Sequence, residues 1–207
     1  MKIGEFLRTW PFLYHVTKEH NLAAIRTYRK LLTADSLLRD SNRANMARLR
    51  RNEDVTACLG TFSIVIRCQR PLDPDCLELD SGWTLADYVE TLNRRVFFWP
   101  GTEIGPTSDG ERMALLEGEA GVMLRMPTSS LLDFNRHVLP IFSPHNTGAA
   151  WLENKKKSHR GDRSFLLCEQ YIESADTIVE VSFEGAINLP HDTSVAPCLE
   201  GPWVPME

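Results

Sequence analysis

Phe12-Leu13-Tyr14-His15-Val16-Thr17 is the stretch on which the reading of this chain turns. Its aromatic and β-branched residues favour a strand, and Pro11, with no N–H to give to a sheet, stops it upstream. Side chains of a strand alternate between faces, so His15 and Thr17 share one face and Tyr14 and Val16 take the other. Lys18 to Arg29 then predicts a helix. Thr17 is placed to cap it, Glu19 and His20 fill its first turn, and Leu22, Ile25 and Tyr28 recur at helical spacing.

Working outward, Leu31 to Leu38 carries another apolar stripe, and Asn42 to Asn52 predicts a strongly basic helix holding Arg43, Arg48, Arg50 and Arg51. Thr61 to Cys68 is the clearest further strand, with Phe62, Ile64 and Ile66 alternating against Ser63, Val65 and Arg67. Asp73-Pro74-Asp75 reads as a loop and Trp83 to Asn93 as a helix capped by Thr84. Val96 to Trp99 reads as a short buried strand that Pro100-Gly101 ends. Glu111 to Glu119 and Ser129 to Asp133 read as helical; Gly121 to Met126, His137 to Phe142 and Thr177 to Phe183 read as strands. Ser143 to Arg163 is a long polar, basic loop of the kind that often carries function, and the proline-rich tail after Leu189 is expected to be irregular. Helices gathered early among several short strands predict an α+β fold, as one domain over residues 1–207.

Composition narrows the function classes. The 207 residues are 43% hydrophobic and 25% charged, enough for a full core, and the net charge of −5 argues against a broad nucleic-acid footprint. Cys58, Cys68, Cys76, Cys168 and Cys198 form no CxxC and no tight Cys/His pairing, which predicts reduced thiols and no metal site. Met1 to Pro11 has no sustained apolar run, and no stretch approaches the roughly 18 consecutive apolar residues of a membrane span. The expected location is the cytoplasm, with no membrane partner. Neither GxGxxG nor GxxxxGK[ST] occurs.

Four segments hold residues able to do chemistry. His15 and Thr17, on one face, offer hydrogen-bonding groups to a ligand's hydroxyls, and Asn21 is placed to pin the strand-to-helix junction. In Asn93-Arg94-Arg95-Val96-Phe97-Phe98-Trp99-Pro100, an aromatic can stack on a flat ring and Arg94 or Arg95 can meet a phosphate. The Pro144-His145-Asn146-Thr147-Gly148 and Arg160-Gly161-Asp162-Arg163 turns form a third group, with Lys155-Lys156-Lys157 between them read as a solvated run. Glu180, inside Ile178-Val179-Glu180-Val181-Ser182-Phe183, is costly to bury unless it is paired, and Glu184 is the competing carboxylate.

Leu13-Tyr14-His15-Val16-Thr17, Asn21-Leu22, Ile25 and Leu31-Leu32-Thr33-Ala34 resemble the opening of DarT-like ADP-ribosyltransferases, where a YH-x-T stretch is followed by NL, I and GLL. Gln69 to Leu72, Gly82 to Leu85, Leu92 to Gly101, Pro144 to Gly148, and Arg160-Gly161 with Phe165 are similar to a bacterial branch of that group, so the likeness spans about residues 11–190. The resemblance implies an ADP-ribosyltransferase-like fold, with a cleft between two small, mostly antiparallel sheets, that takes NAD as substrate without a metal. It implies that His15 holds a ribose hydroxyl, with Thr17 and Asn21 beside it, and that one of Phe97, Phe98 and Trp99 packs against the nicotinamide. It implies further that an arginine among Arg43, Arg48 and Arg51 meets the pyrophosphate or the reacting centre, and that Glu180 is the catalytic carboxylate. An acceptor, nucleic acid or protein, and an antitoxin partner would go with such an enzyme. Lys30 stands where relatives have the glycine that closes the first helix, so this chain must cap that helix another way. Two other functions fit the same motifs: a nucleotide-binding module without catalysis, and an RNA 2′-phosphotransferase, which needs basic residues gathered around its pocket.

Overall fold

A computed structural model of the protein describes residues 1–108, 110–111, 121–152 and 154–207. Among these the helices are α1 (Ile3–Thr9), α2 (Leu22–Tyr28), α3 (Ala34–Asp40), α4 (Leu85–Asn93) and α5 (Thr128–Phe134). The strands are β1 (Phe12–Lys18), β2 (Lys30–Leu31), β3 (Val55–Leu59), β4 (Phe62–Ile66), β5 (Leu77–Leu79), β6 (Arg95–Gly101), β7 (Gly121–Pro127), β8 (Ile141–Ser143), β9 (Ser158–Arg160), β10 (Glu180–Glu184), β11 (Ile187–Asn188), β12 (Ser194–Ala196) and β13 (Val204–Pro205). The fold is α+β. The expected Glu111–Glu119 helix falls almost wholly outside the described residues.

Seven strands form one antiparallel sheet in the order β13-β12-β7-β1-β6-β10-β8, so the two sheets expected from the sequence are joined. The joint is β6, which changes partner part-way. Trp99, Pro100 and Gly101 pair with Tyr14, Leu13 and Phe12 of β1, whereas Arg95 to Phe98 pair with Glu184 to Val181 of β10. Past Tyr14, β1 keeps β7 along one edge as far as Lys18 but has lost β6 from the other. A strand edge that is unpaired inside a protein needs partners for its main-chain groups, and this divergence opens a wedge beside His15.

Among the described residues, three apolar clusters hold the fold. Leu13, Phe98, Leu124, Val181 and Phe183 belong to the main one, where Phe6 of α1 also meets Phe142 edge-on at 4.9 Å. Ala24, Leu37, Leu38, Ile64 and Ile66 join α2 and α3 to the β3–β4 hairpin. Leu72, Tyr88, Val89, Leu92 and Ala150 seat α4. The start of α4 is as expected: Thr84 accepts from Asp87 N at 3.2 Å, and the Asp87 side chain accepts from Thr84 N at 3.1 Å.

Other expectations change. β1 runs through Lys18, a 3-10 turn spans Glu19–Asn21, and α2 begins only at Leu22, so Thr17 does not cap it. That helix closes on Arg29 in the left-handed conformation (φ 50°). The Arg29 guanidinium donates to the carbonyls of Met206 and Pro190, the latter at 2.7 Å, which ties the helix end to the tail and replaces the missing glycine. The basic helix over Asn42–Asn52 reduces to a 3-10 turn at Ala44–Arg48, preceded by Asn42 in the left-handed conformation (φ 57°), and its arginines donate to distant carbonyls: Arg43 to Thr56, Arg50 to Gln69 and Arg51 to Arg67. Strand β8 begins at Ile141, after a turn and Pro140, and β10 begins at Glu180 after a 3-10 turn at Ala175–Thr177. Pro100-Gly101 does not end β6, and the tail contributes β11, β12 and β13.

Candidate functional site

The wedge between β1 and β6 is a cavity of about 260 Å³, closed behind by the β3–β4 hairpin and by α2 and α3. His15 lines it from β1. Its Nδ1–H donates to the Phe97 carbonyl at 2.8 Å. Continuing the β1–β6 register past Tyr14 and Trp99 would set Val16 opposite Phe97, so the imidazole occupies the place of a lost ladder bond. His15 is thus bonded to backbone and also faces the cavity. Thr17 and Asn21 line it as well. The Asn21 amide accepts from Val65 N at 2.8 Å and donates to the Val65 carbonyl at 2.9 Å and to Thr17 Oγ1 at 3.2 Å. It pins the strand-to-helix junction to β4, as its position in sequence suggested.

Glu180 comes to the same cavity from β10 and is only 3% exposed. Its Oε2 accepts twice from Thr147, from the main-chain N–H at 3.1 Å and from the hydroxyl. Glu184 is half exposed, ion-paired with Arg94 and 3.9 Å from Arg95 Nη2, and does not line the cavity. Of the two carboxylates, the cavity holds Glu180.

The turn that holds Glu180 is itself held. Tyr88 OH donates to the Thr147 carbonyl at 3.0 Å, and burial pushes that hydroxyl's pKa up. Arg160 Nη2 donates to the carbonyls of Asn146 (3.0 Å) and Ala149 (2.9 Å). His145 Nε2 lies 3.0 Å from Ser164 Oγ, and burial, with Arg160 and His159 nearby, lowers its pKa to about 3. Gly161 sits against Asp80, where a Cβ would lie 2.1 Å from Oδ2, and Asp162 accepts from Trp83 Nε1 at 2.8 Å. The segments around Trp83, Asn146 and Arg160, far apart in sequence, therefore build one wall behind Glu180.

The three candidate arginines separate cleanly. Arg51 is 6% exposed and lines the cavity; its Nη1 donates to Asn93 Oδ1 at 2.8 Å, and burial lowers its pKa to about 10, leaving it charged at neutral pH. Arg48 is exposed, bridging Asp87 and Glu90 of α4, and Arg43 is exposed and bonded to Thr56, so neither reaches the cavity. Phe97 and Trp99 line it, but Phe98 faces the other way, packed on Phe183 at 5.5 Å in the main core with its ring 5.6 Å from that of His15. Lys155, Lys156 and Lys157 are exposed and lie outside the lining. Sequence reasoning missed Arg67, Gln69 and Asn93 as lining residues; a single polar residue beside a strand or at a helix end carries no signal of burial.

In a chain of net charge −5, the described lining carries Lys18, Lys30, Arg51, Arg67 and Arg95 against a single carboxylate, Glu180. Clefts of one sign concentrate ligands of the other, so the site suits an anionic ligand with an apolar part. Among the described residues, no group of three or more His, Cys, Asp or Glu side chains is placed to hold a metal ion, and no helix is long and apolar enough to cross a membrane. The five cysteines are free.

The fold and site thus define an α+β protein with a half-enclosed cavity, whose described lining holds more cationic than anionic side chains. Residues 11–193 match a family of unknown function, DUF7002, and the chain belongs to that family. No curated protein matches the sequence.

Proposed function

We propose that the cavity binds NAD and that the protein is a DarT-like ADP-ribosyltransferase, its sheet halves forming the cleft of an ADP-ribosyltransferase-type fold. The observation that carries this reading is that His15 of the first strand and Glu180 of the tenth line one cavity, together with Arg51, Phe97 and Trp99. His15 and Thr17 hold the ribose, Phe97 or Trp99 packs on the nicotinamide, and Arg51 meets the pyrophosphate. The C1′–nitrogen bond breaks with its electron pair leaving on nicotinamide, and positive charge builds on the sugar. Glu180, fixed by Thr147, stabilises that charge, as carboxylates do in glycoside cleavage. The acceptor's nucleophile then bonds to C1′ and gives up its proton to water.

The cationic lining also favours a second reading, an RNA 2′-phosphotransferase, which must grip more than one phosphate. One experiment separates the two: labelled NAD is incubated with single-stranded DNA, RNA, RNA bearing a 2′-phosphate, and cell protein. A transferase moves label to DNA, RNA or protein with nicotinamide released, and Glu180→Gln abolishes both. Turnover only with the 2′-phosphorylated RNA supports the second reading. Absence of label and of nicotinamide in every mixture contradicts both.

A further inference from the structure

Arg51 lines the cavity at 6% exposure, and its guanidinium is bonded to neutral groups. Nη1 donates to Asn93 Oδ1 at 2.8 Å and Nε to the Arg67 carbonyl at 3.2 Å. Burial outweighs every neighbouring charge on it, Asp54 included, and lowers its pKa to about 10, so the cation persists at neutral pH. Buried cations are ordinarily paired with carboxylates. One that lines a cavity on neutral partners keeps its charge for an anion that a ligand brings.

Asn93 sets that guanidinium. It is the last residue of α4, is 2% exposed and also lines the cavity. Its Nδ2 donates to the Ala47 carbonyl at 2.7 Å, which fixes which end of the amide is oxygen. Oδ1 then accepts twice, from Arg51 Nη1 and from Gln69 Nε2 at 3.3 Å. Gln69 is tied back to the arginine: its Oε1 accepts from Arg51 N at 3.1 Å, and its main-chain N–H donates to the Arg51 carbonyl at 2.7 Å. Arg51, Gln69 and Asn93 thus close a ring of hydrogen bonds. An aspartate of the same shape would hold the guanidinium as well but would cancel its charge. Asparagine holds it and leaves the charge in place.

We propose that Asn93 is a positioning residue that holds the Arg51 guanidinium at the cavity wall, un-neutralised, for the ligand's phosphates. This rests on the reading of the cavity as an NAD site. The test is calorimetric titration with a carbocyclic NAD that cannot be cleaved and with the matching carbocyclic nicotinamide nucleoside, which has no phosphate. Asn93→Asp should weaken binding of the dinucleotide at least about 10-fold, the worth of one hydrogen bond to a charged group, and leave binding of the nucleoside unchanged. Asn93→Ala, which leaves Nη1 without its acceptor, should do the same, and should cost nothing further when added to Arg51→Met. Where melting shows that the alanine variant does not fold, the aspartate variant decides alone. Undiminished binding of the dinucleotide, an equal loss with the nucleoside, or a further loss in Arg51→Met would show that Asn93 does not act through Arg51, and the NAD site stands without it. If wild type does not bind carbocyclic NAD, this role and the NAD site fall together.

Discussion

Replacing Thr147 by valine isolates the interaction that fixes Glu180. Thr147 is fully buried and Glu180 is 3% exposed, so neither can turn to water when the hydroxyl is removed. Valine fills nearly the same volume, and the main-chain N–H still donates to Oε2. What disappears is one hydroxyl-to-carboxylate bond, and bonds to charged groups contribute about 1.5–3 kcal/mol. For a chain of this length that corresponds to a fall in Tm of about 3–12 °C. Urea denaturation followed by fluorescence should show the midpoint dropping at unchanged slope. Thr147→Ser should recover most of the loss. In Glu180→Gln, where the bond is between neutral groups, Thr147→Val should cost less, with a coupling of about 1 kcal/mol. A loss below about 0.5 kcal/mol in the Glu180 background, or strictly additive losses, would refute the view that this hydroxyl holds the carboxylate.

Further outcomes follow from the same geometry. His145, whose pKa falls to about 3 on folding from an ordinary value near 6.5, binds its proton only in the unfolded chain between those pH values; stability is therefore lost as pH falls through that window, by about 2 kcal/mol from pH 7.5 to 5, and wild type minus His145→Gln in paired denaturation curves should show it. Arg51→Met should weaken binding of carbocyclic NAD at least about 10-fold, while Arg48→Ala, which removes exposed ion pairs, should leave binding unchanged and cost under about 1 kcal/mol. Phe98→Ala should destabilise by about 3–5 kcal/mol as a core truncation, whereas Phe97→Ala, on the cavity wall, should cost less stability and more ligand affinity when both are compared by melting and titration.

What could be read from the chain and what could not differ for physical reasons. The alternation in β1 and the odd carboxylate in Ile178–Phe183 are local signals, and both led to residues that meet in the cavity. Arg43, Arg48 and Arg51 looked alike because they lie in one basic run; carbonyls from β3 and the segment after β4, and two carboxylates of α4, decide between them. The change of partner along β6 leaves no mark in Arg95 to Gly101, since either edge of a strand can pair whatever its side chains are. Strands of two or three residues such as β11, β12 and β13 are too short to show a period. Thr147 and Asn146 stood inside a polar turn that sequence would place at the surface; only Tyr88 and Arg160, arriving from other segments, bury it.

The crystal structure of the protein with carbocyclic NAD tests the central claim most directly. The nicotinamide ribose should lie between the His15 imidazole and the Glu180 carboxylate, within hydrogen-bonding distance of both, with Arg51 toward the phosphates. A dinucleotide bound elsewhere, or in this cavity with its ribose turned away from either side chain, would contradict it.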